Sequence, residues 1–222
     1  MAPPTWLAGS FADPEYPEVV AQFAGAFAAR YRGIVDHITP LNEPLTTASF
    51  CGLRGVWPPA LTGWDGWTTV TLGIVFGISR TIEAVRAANP NAVIVHVEAA
   101  TIYQTSAGDL KEHATELSAV GMLPLDLLLG RVDTSHEMYD WLLENGAPSE
   151  RLASLVVDVP EIDLLGVNYY PDLSPRTPDS SRWFRVSGRN ESGRSRSHRV
   201  PDALLGALRP PDDDHGNEHR RR

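Results

Sequence analysis

Residues 34–44 read Ile34-Val35-Asp36-His37-Ile38-Thr39-Pro40-Leu41-Asn42-Glu43-Pro44. The run from Ile34 to Leu41 follows Gly33 and is short, β-branched and partly alternating, which is the pattern of a strand. Asn42-Glu43-Pro44 closes it, because Pro44 has no N–H to donate to a ladder. A carboxylate where a strand gives way to a loop is what a parallel-barrel enzyme uses, since catalytic groups there project from a rigid base. Glu43 is therefore the first candidate for chemistry, with the amide of Asn42 beside it.

Outward from this stretch the chain alternates. Upstream, residues 18–31 place Val19, Val20, Phe23, Phe27 and Tyr31 along one face of a helix that follows Pro17. Downstream, residues 45–66 hold Gly52, Gly55, Pro58, Pro59 and Gly63 and read as a long loop. Val70, Ile74, Ile78, Ile82 and Val85 then recur at helical spacing until Asn89-Pro90. Ala92–Glu98 is a compact apolar strand, residues 109–120 and 135–145 read as helices, the second capped by Ser135 and stopped by Asn145-Gly146, and Ile162–Asn168 is a third strand. This order predicts an α/β fold, a partial TIM (β/α)8 barrel of parallel strands alternating with helices, over residues 1–171. Residues 172–222 are rich in Ser, Arg, Asp, Gly and Pro and are expected to form a disordered, low-complexity tail, with at most a short helix near Asp202–Leu208.

The bulk figures exclude several classes. The 222 residues are 42 % hydrophobic and 21 % charged, an ordinary globular balance. The net charge of −9 divides unevenly, +4 in residues 176–222 and −13 before them, so the body of the chain is a poor nucleic-acid binder. The tail carries arginines without the interleaved aromatics that stack bases. Cys51 is the single cysteine, so it has no disulfide partner within the chain and fits no zinc-ligand spacing. No apolar run in the sequence approaches the roughly 20 residues of a membrane span, and the N-terminus lacks a secretory pattern, so the expectation is a cytoplasmic protein without metal or cofactor. Oligomeric state is not legible.

The motif Thr39-Pro40-Leu41-Asn42-Glu43-Pro44 resembles the close of the fourth barrel strand in glycoside hydrolase family 1, the β-glucosidase type, which ends in Thr-x-Asn-Glu-Pro. Trp6-Leu7-Ala8-Gly9 to Tyr31 is similar to that family's segment before the fourth strand, and Ile162-Asp163-Leu164-Leu165-Gly166-Val167-Asn168-Tyr169-Tyr170 to its sixth-strand signature. The resemblance implies Glu43 as general acid/base, Asn42 as a ligand of a sugar hydroxyl, Asn168 as a subsite ligand and Tyr170 as a phenol that hydrogen-bonds the nucleophile. It implies hydrolysis of β-glucosides by a retaining mechanism, in which two carboxyls about 5–5.5 Å apart serve as proton donor and nucleophile. In the family the nucleophile follows on the seventh strand in an Ile/Val-Thr-Glu-Asn-Gly context. Here the Arg/Ser-rich segment follows Tyr170 instead, so the expectation is a chain inactive alone for want of the second carboxylate.

Other residues carry weaker signals. Glu98 ends the second strand and is a further candidate for the mouth, with His96 on the same strand face. Trp57 and Trp64 offer stacking surfaces for a sugar ring, although loop tryptophans more often anchor the loop. Glu144-Asn145-Gly146 copies three letters of the nucleophile motif but sits at the end of a helical pattern, before the sixth strand. Cys51 reads as a small apolar filler. The rival to hydrolysis is a non-catalytic carbohydrate-binding or interaction module that uses Asn42, Asn168, Trp57 and Trp64.

Overall fold

The computed structural model describes residues 3–176 and Pro178. Its elements alternate as the sequence pattern predicts: helix α1 (Tyr16–Arg30), strand β1 (His37–Ile38), helices α2 (Pro44–Ala48) and α3 (Gly63–Ala88), strands β2 (Val93–Ala99) and β3 (Ile102–Tyr103), helices α4 (Lys111–Leu128), α5 (Tyr139–Glu144) and α6 (Ser149–Val157), then strands β4 (Leu164–Asn168) and β5 (Pro175–Arg176). β1, β2 and β4 form one parallel sheet in that order, and β3 pairs with β5 in a second, two-stranded one. The sheet is unclosed, with β1 and β4 as its edges, and the whole is a partial (β/α)8 barrel. The expected tail lies almost wholly outside the described residues; its first few form a turn at Pro171–Leu173 and then β5.

The core forms between one face of the sheet and the helices. Along β2, Ile94, His96 and Glu98 are buried while Val93, Val95, Val97 and Ala99 are half-buried, the period of two that a strand imposes. The buried face meets α3, whose Val70, Ile74, Ile78, Ile82 and Val85 are 0–3 % exposed, as their spacing predicts. Trp67 closes one end of that core, edge-on to Trp64 and to Trp141 with ring centroids 6.0 Å apart in each pair. By length and composition α3 is apolar enough to cross a membrane, a property not anticipated from the sequence, and most of it is buried in this core.

Several local features differ from the sequence pattern. On α1, Tyr16, Ala21 and Ala28 are buried and Val19 and Val20 pack against the core as expected, with Gly25 against Ala84 of α3, whereas Phe23 and Phe27 are 57 % and 36 % exposed. Small residues let the two helix backbones come close, and the larger aromatics stack along the outside, Phe23 on Phe27 and Phe27 on Tyr31. The 45–66 loop is interrupted by α2 and by a π-helical turn at Ser49–Leu53. That turn lies so close to α3 that a methyl group on Gly52 would stand 2.5 Å from the Gly66 carbonyl oxygen. α4 runs on through Gly121 and Pro124 to Leu128, because burial of Leu123, Leu125, Leu127 and Leu128 outweighs local breaking tendencies, and Ser135 bonds Asp133 rather than capping α5. α6 was not anticipated at all.

Asp163 fixes where β4 begins. Its Oδ2 accepts the Ile94 N–H at 2.5 Å and the Arg86 guanidinium at 2.6 Å, so the end of α3, the start of β2 and the start of β4 converge on one carboxylate. The Ile94 N–H first, and the Arg86 charge with it, hold this carboxyl below the ordinary aspartate range. A depressed folded-state value stabilises the fold above the unfolded-state range and is lost as pH falls through the folded value. Asp163→Asn is therefore expected to lower the urea midpoint at neutral pH and to flatten the acid limb of the stability profile. An acid limb as steep as the wild type's would show that Asp163 is not responsible.

Candidate active site

The site is assembled at the C-terminal ends of the three parallel strands. His37 and Ile38 pair with Val93 and Ile94, but Asn42 bridges Val97, so four residues of the first strand's path span three of β2. This extra residue, at Thr39-Pro40-Leu41, shifts the alternation by one. Ile38 pairs on the core side with Ile94, whereas Asn42 shares the opposite face with Val97. Asn168, partner of Ala99, lies on that same face. Asn42 and Asn168 thus look into the half-barrel's open interior.

Glu43 joins them by leaving regular geometry. Its φ and ψ are 55° and 66°, the left-handed region, uncommon for a residue with a Cβ and disfavoured further by the proline that follows. Its N–H donates to Val97 O at 2.9 Å and its carbonyl accepts from Thr47 at 3.0 Å, so the twist is held from both sides. A regular strand would send successive side chains to opposite faces; here both reach one amide. Asn168 Nδ2 donates to Glu43 Oε1 at 2.6 Å and to Asn42 Oδ1 at 3.2 Å. Three residues from two strands separated by β2 are thereby brought into one hydrogen-bonded group. Backbone strain at such a group is commonly part of function.

The remaining candidates fall elsewhere. Tyr170 lies two residues beyond Asn168, 52 % exposed, and its phenol makes no hydrogen bond among the described residues; its backbone and Ser174 form the turn that leads to β5. Glu98 is buried on the core face of β2, opposite to the open interior, and accepts the N–H groups of Leu45 and Ala99. A strand end alone did not decide its direction; the strand's alternation did. Trp57 stacks on Phe50 at 4.4 Å and is 47 % exposed, while Trp64 packs edge-on against Trp67 and Trp141, the anchoring role. Glu144 is the last residue of α5, and Gly146 follows at φ 86°, a helix stop. Burial pushes the Cys51 thiol up to about 11, which keeps it protonated and inert. Among the described residues no three His, Cys, Asp or Glu side chains gather as metal ligands do.

This arrangement of strands and helices is found in solved barrels. The chain matches the family 1 β-glucosidase of Thermotoga maritima with a TM-score of 0.67 at 18 % identity, over 80 % of this chain and 40 % of that one. It shares part of that enzyme's barrel fold. The same enzyme in complex with cyclophellitol and with deoxynojirimycin gives the same TM-score, identity and coverage. The chain thus spans about two fifths of the length of the family 1 barrel it matches. No protein-family model and no curated protein matches it.

The left-handed turn makes a measurable claim. Glycine tolerates this backbone region and alanine does not, so Glu43→Gly is expected to be more stable than Glu43→Ala by about 1 kcal/mol in urea denaturation. Equal stability of the two variants would mean that residue 43 is not held at positive φ in solution.

Proposed function

We propose that this chain is the acid/base-bearing portion of a retaining β-glycosidase barrel, acting on β-glucoside-type sugars. The observation that carries the reading is the group formed by Glu43, Asn42 and Asn168: a half-buried carboxyl at the rim of a parallel sheet, bonded to an amide donated from two strands away. A carboxyl so placed is suited to protonate a leaving glycosidic oxygen, and the two asparagines offer the amide donors and acceptors that sugar hydroxyls require. The family 1 fold supports the assignment.

The retaining mechanism also needs a second carboxylate about 5–5.5 Å from the first. The other strand-end carboxylate, Glu98, faces the helices, and among the described residues no second carboxylate joins the hydrogen-bonded group. On this reading the chain by itself binds a sugar at the Glu43 rim but does not turn it over, since loss of one essential carboxylate removes several orders of magnitude in rate. Trp57, an aromatic face about half exposed, favours a second reading as a carbohydrate-binding module without catalysis.

Titration with deoxynojirimycin, a cationic sugar mimic, alongside an aryl β-glucoside assay tests both. Saturable binding weakened at least about tenfold (about 1.4 kcal/mol) by Glu43→Gln, with no detectable turnover, is the expected result. Identical behaviour of the wild-type and Glu43→Gln chains would contradict it. Loss of binding in Trp57→Ala with Glu43→Gln unaffected would favour the binding module.

A further inference from the structure

The buried pair His96 and Glu98 has no part in the chemistry described so far, and both stand directly beneath it. Glu98 Oε1 accepts the Leu45 N–H at 3.3 Å and the Ala99 N–H at 2.9 Å. Leu45 belongs to the first turn of α2, and Pro44 between it and Glu43 has no N–H. The two backbone donors that flank the Glu43–Pro44 step are therefore both tied to successive residues of β2, Glu43 to the Val97 carbonyl and Leu45 to the Glu98 carboxylate. These two bonds bracket the residue whose left-handed conformation turns its carboxyl toward Asn168.

His96 completes the brace. Its side chain is 1 % exposed, its Nε2 lies 3.7 Å from Glu98 Oε2, and neither that oxygen nor either ring nitrogen has a hydrogen-bond partner among the described residues. A buried carboxylate oxygen without a donor is costly, and the imidazole is the group placed to supply one. An apolar pair of similar size would fill the same space without that cost, so packing alone does not account for the choice of residues.

We propose that Glu98, backed by His96, is a positioning residue that holds the Glu43–Pro44 turn and so sets the reach of the Glu43 carboxyl to Asn168. Its significance rests on the reading of Glu43 as the working carboxyl, but its geometry can be tested without any sugar. The side-chain amide protons of Asn168, followed by proton–nitrogen NMR on the full chain, report the 2.6 Å bond as a separated, downfield signal. Glu98→Gln keeps an oxygen to accept both N–H groups and is expected to retain that signal. Glu98→Asp keeps the charge but falls one methylene short, and Glu98→Ala removes the acceptor; both are expected to lose it while still melting cooperatively. If Glu98→Ala does not fold, the Gln and Asp variants carry the comparison. Retention of the signal in Glu98→Asp, or its equal loss in Gln and Asp, would overturn the proposal. A chain that responds as expected and yet binds no sugar would keep the positioning role and refute the glycosidase reading instead.

Discussion

The constraint on which the site depends is the parallel pairing of three strand ends in one register. Asn42 bridges Val97, Ala99 pairs with Asn168, and Glu43 N–H bonds the Val97 carbonyl, so residues more than 120 apart in sequence meet within hydrogen-bond reach. A slip of one residue in either pairing would turn an asparagine into the core and separate the group. The extra residue near Pro40 is what makes the first of these pairings possible, because uninterrupted alternation would put Asn42 on the same side as Ile38. Pro40 contributes no N–H to be left unpaired at the irregularity.

Behind the strands, stability and geometry come from the same contacts. Among the described elements α3 contributes the most buried residues, and α1 packs closely against it, with Gly25 on Ala84. Asp163 sets the start of β4 against β2, which in turn sets how far along the sheet Asn168 falls. Glu98 links that same strand to α2. The chemistry-bearing face is the half-exposed one, with Val95, Val97 and Ala99 lining the unclosed interior, while the edge strand β4 keeps apolar side chains open to solvent, Leu164 at 50 % and Leu165 at 38 % exposure.

Much of this was legible in the sequence, and the reasons differ by element. The strand and helix order was readable because hydrophobic periods of two and near four recur in turn, and the motif ending in Asn42-Glu43-Pro44 with the distant Asn168 singled out the residues that do meet. The direction of Glu98 is not written in its strand: Val93, Val95, Val97 and Ala99, of the opposite parity, are all apolar, so alternation alone points them at the core, whereas the fold buries Ile94, His96 and Glu98. On α1 the expected face holds in part: Val19 and Val20 pack against the core, but close contact with α3 selects Ala and Gly and leaves Phe23 and Phe27 outside, so size is not the signal for burial there. Neither the one-residue shift before Asn42 nor the positive φ of Glu43 has a sequence signature, as both arise from how β1 must fit against β2. Most of the expected tail lies outside the described residues.

The central claim is that Glu43 and Asn168 touch. A double-mutant cycle of Glu43→Ala, Asn168→Ala and the double variant, read by urea denaturation, measures that contact directly. A charge-assisted bond of this kind predicts a coupling energy of about 1 kcal/mol or more. Additivity within about 0.3 kcal/mol would mean that the two side chains do not interact and that the site does not exist as described.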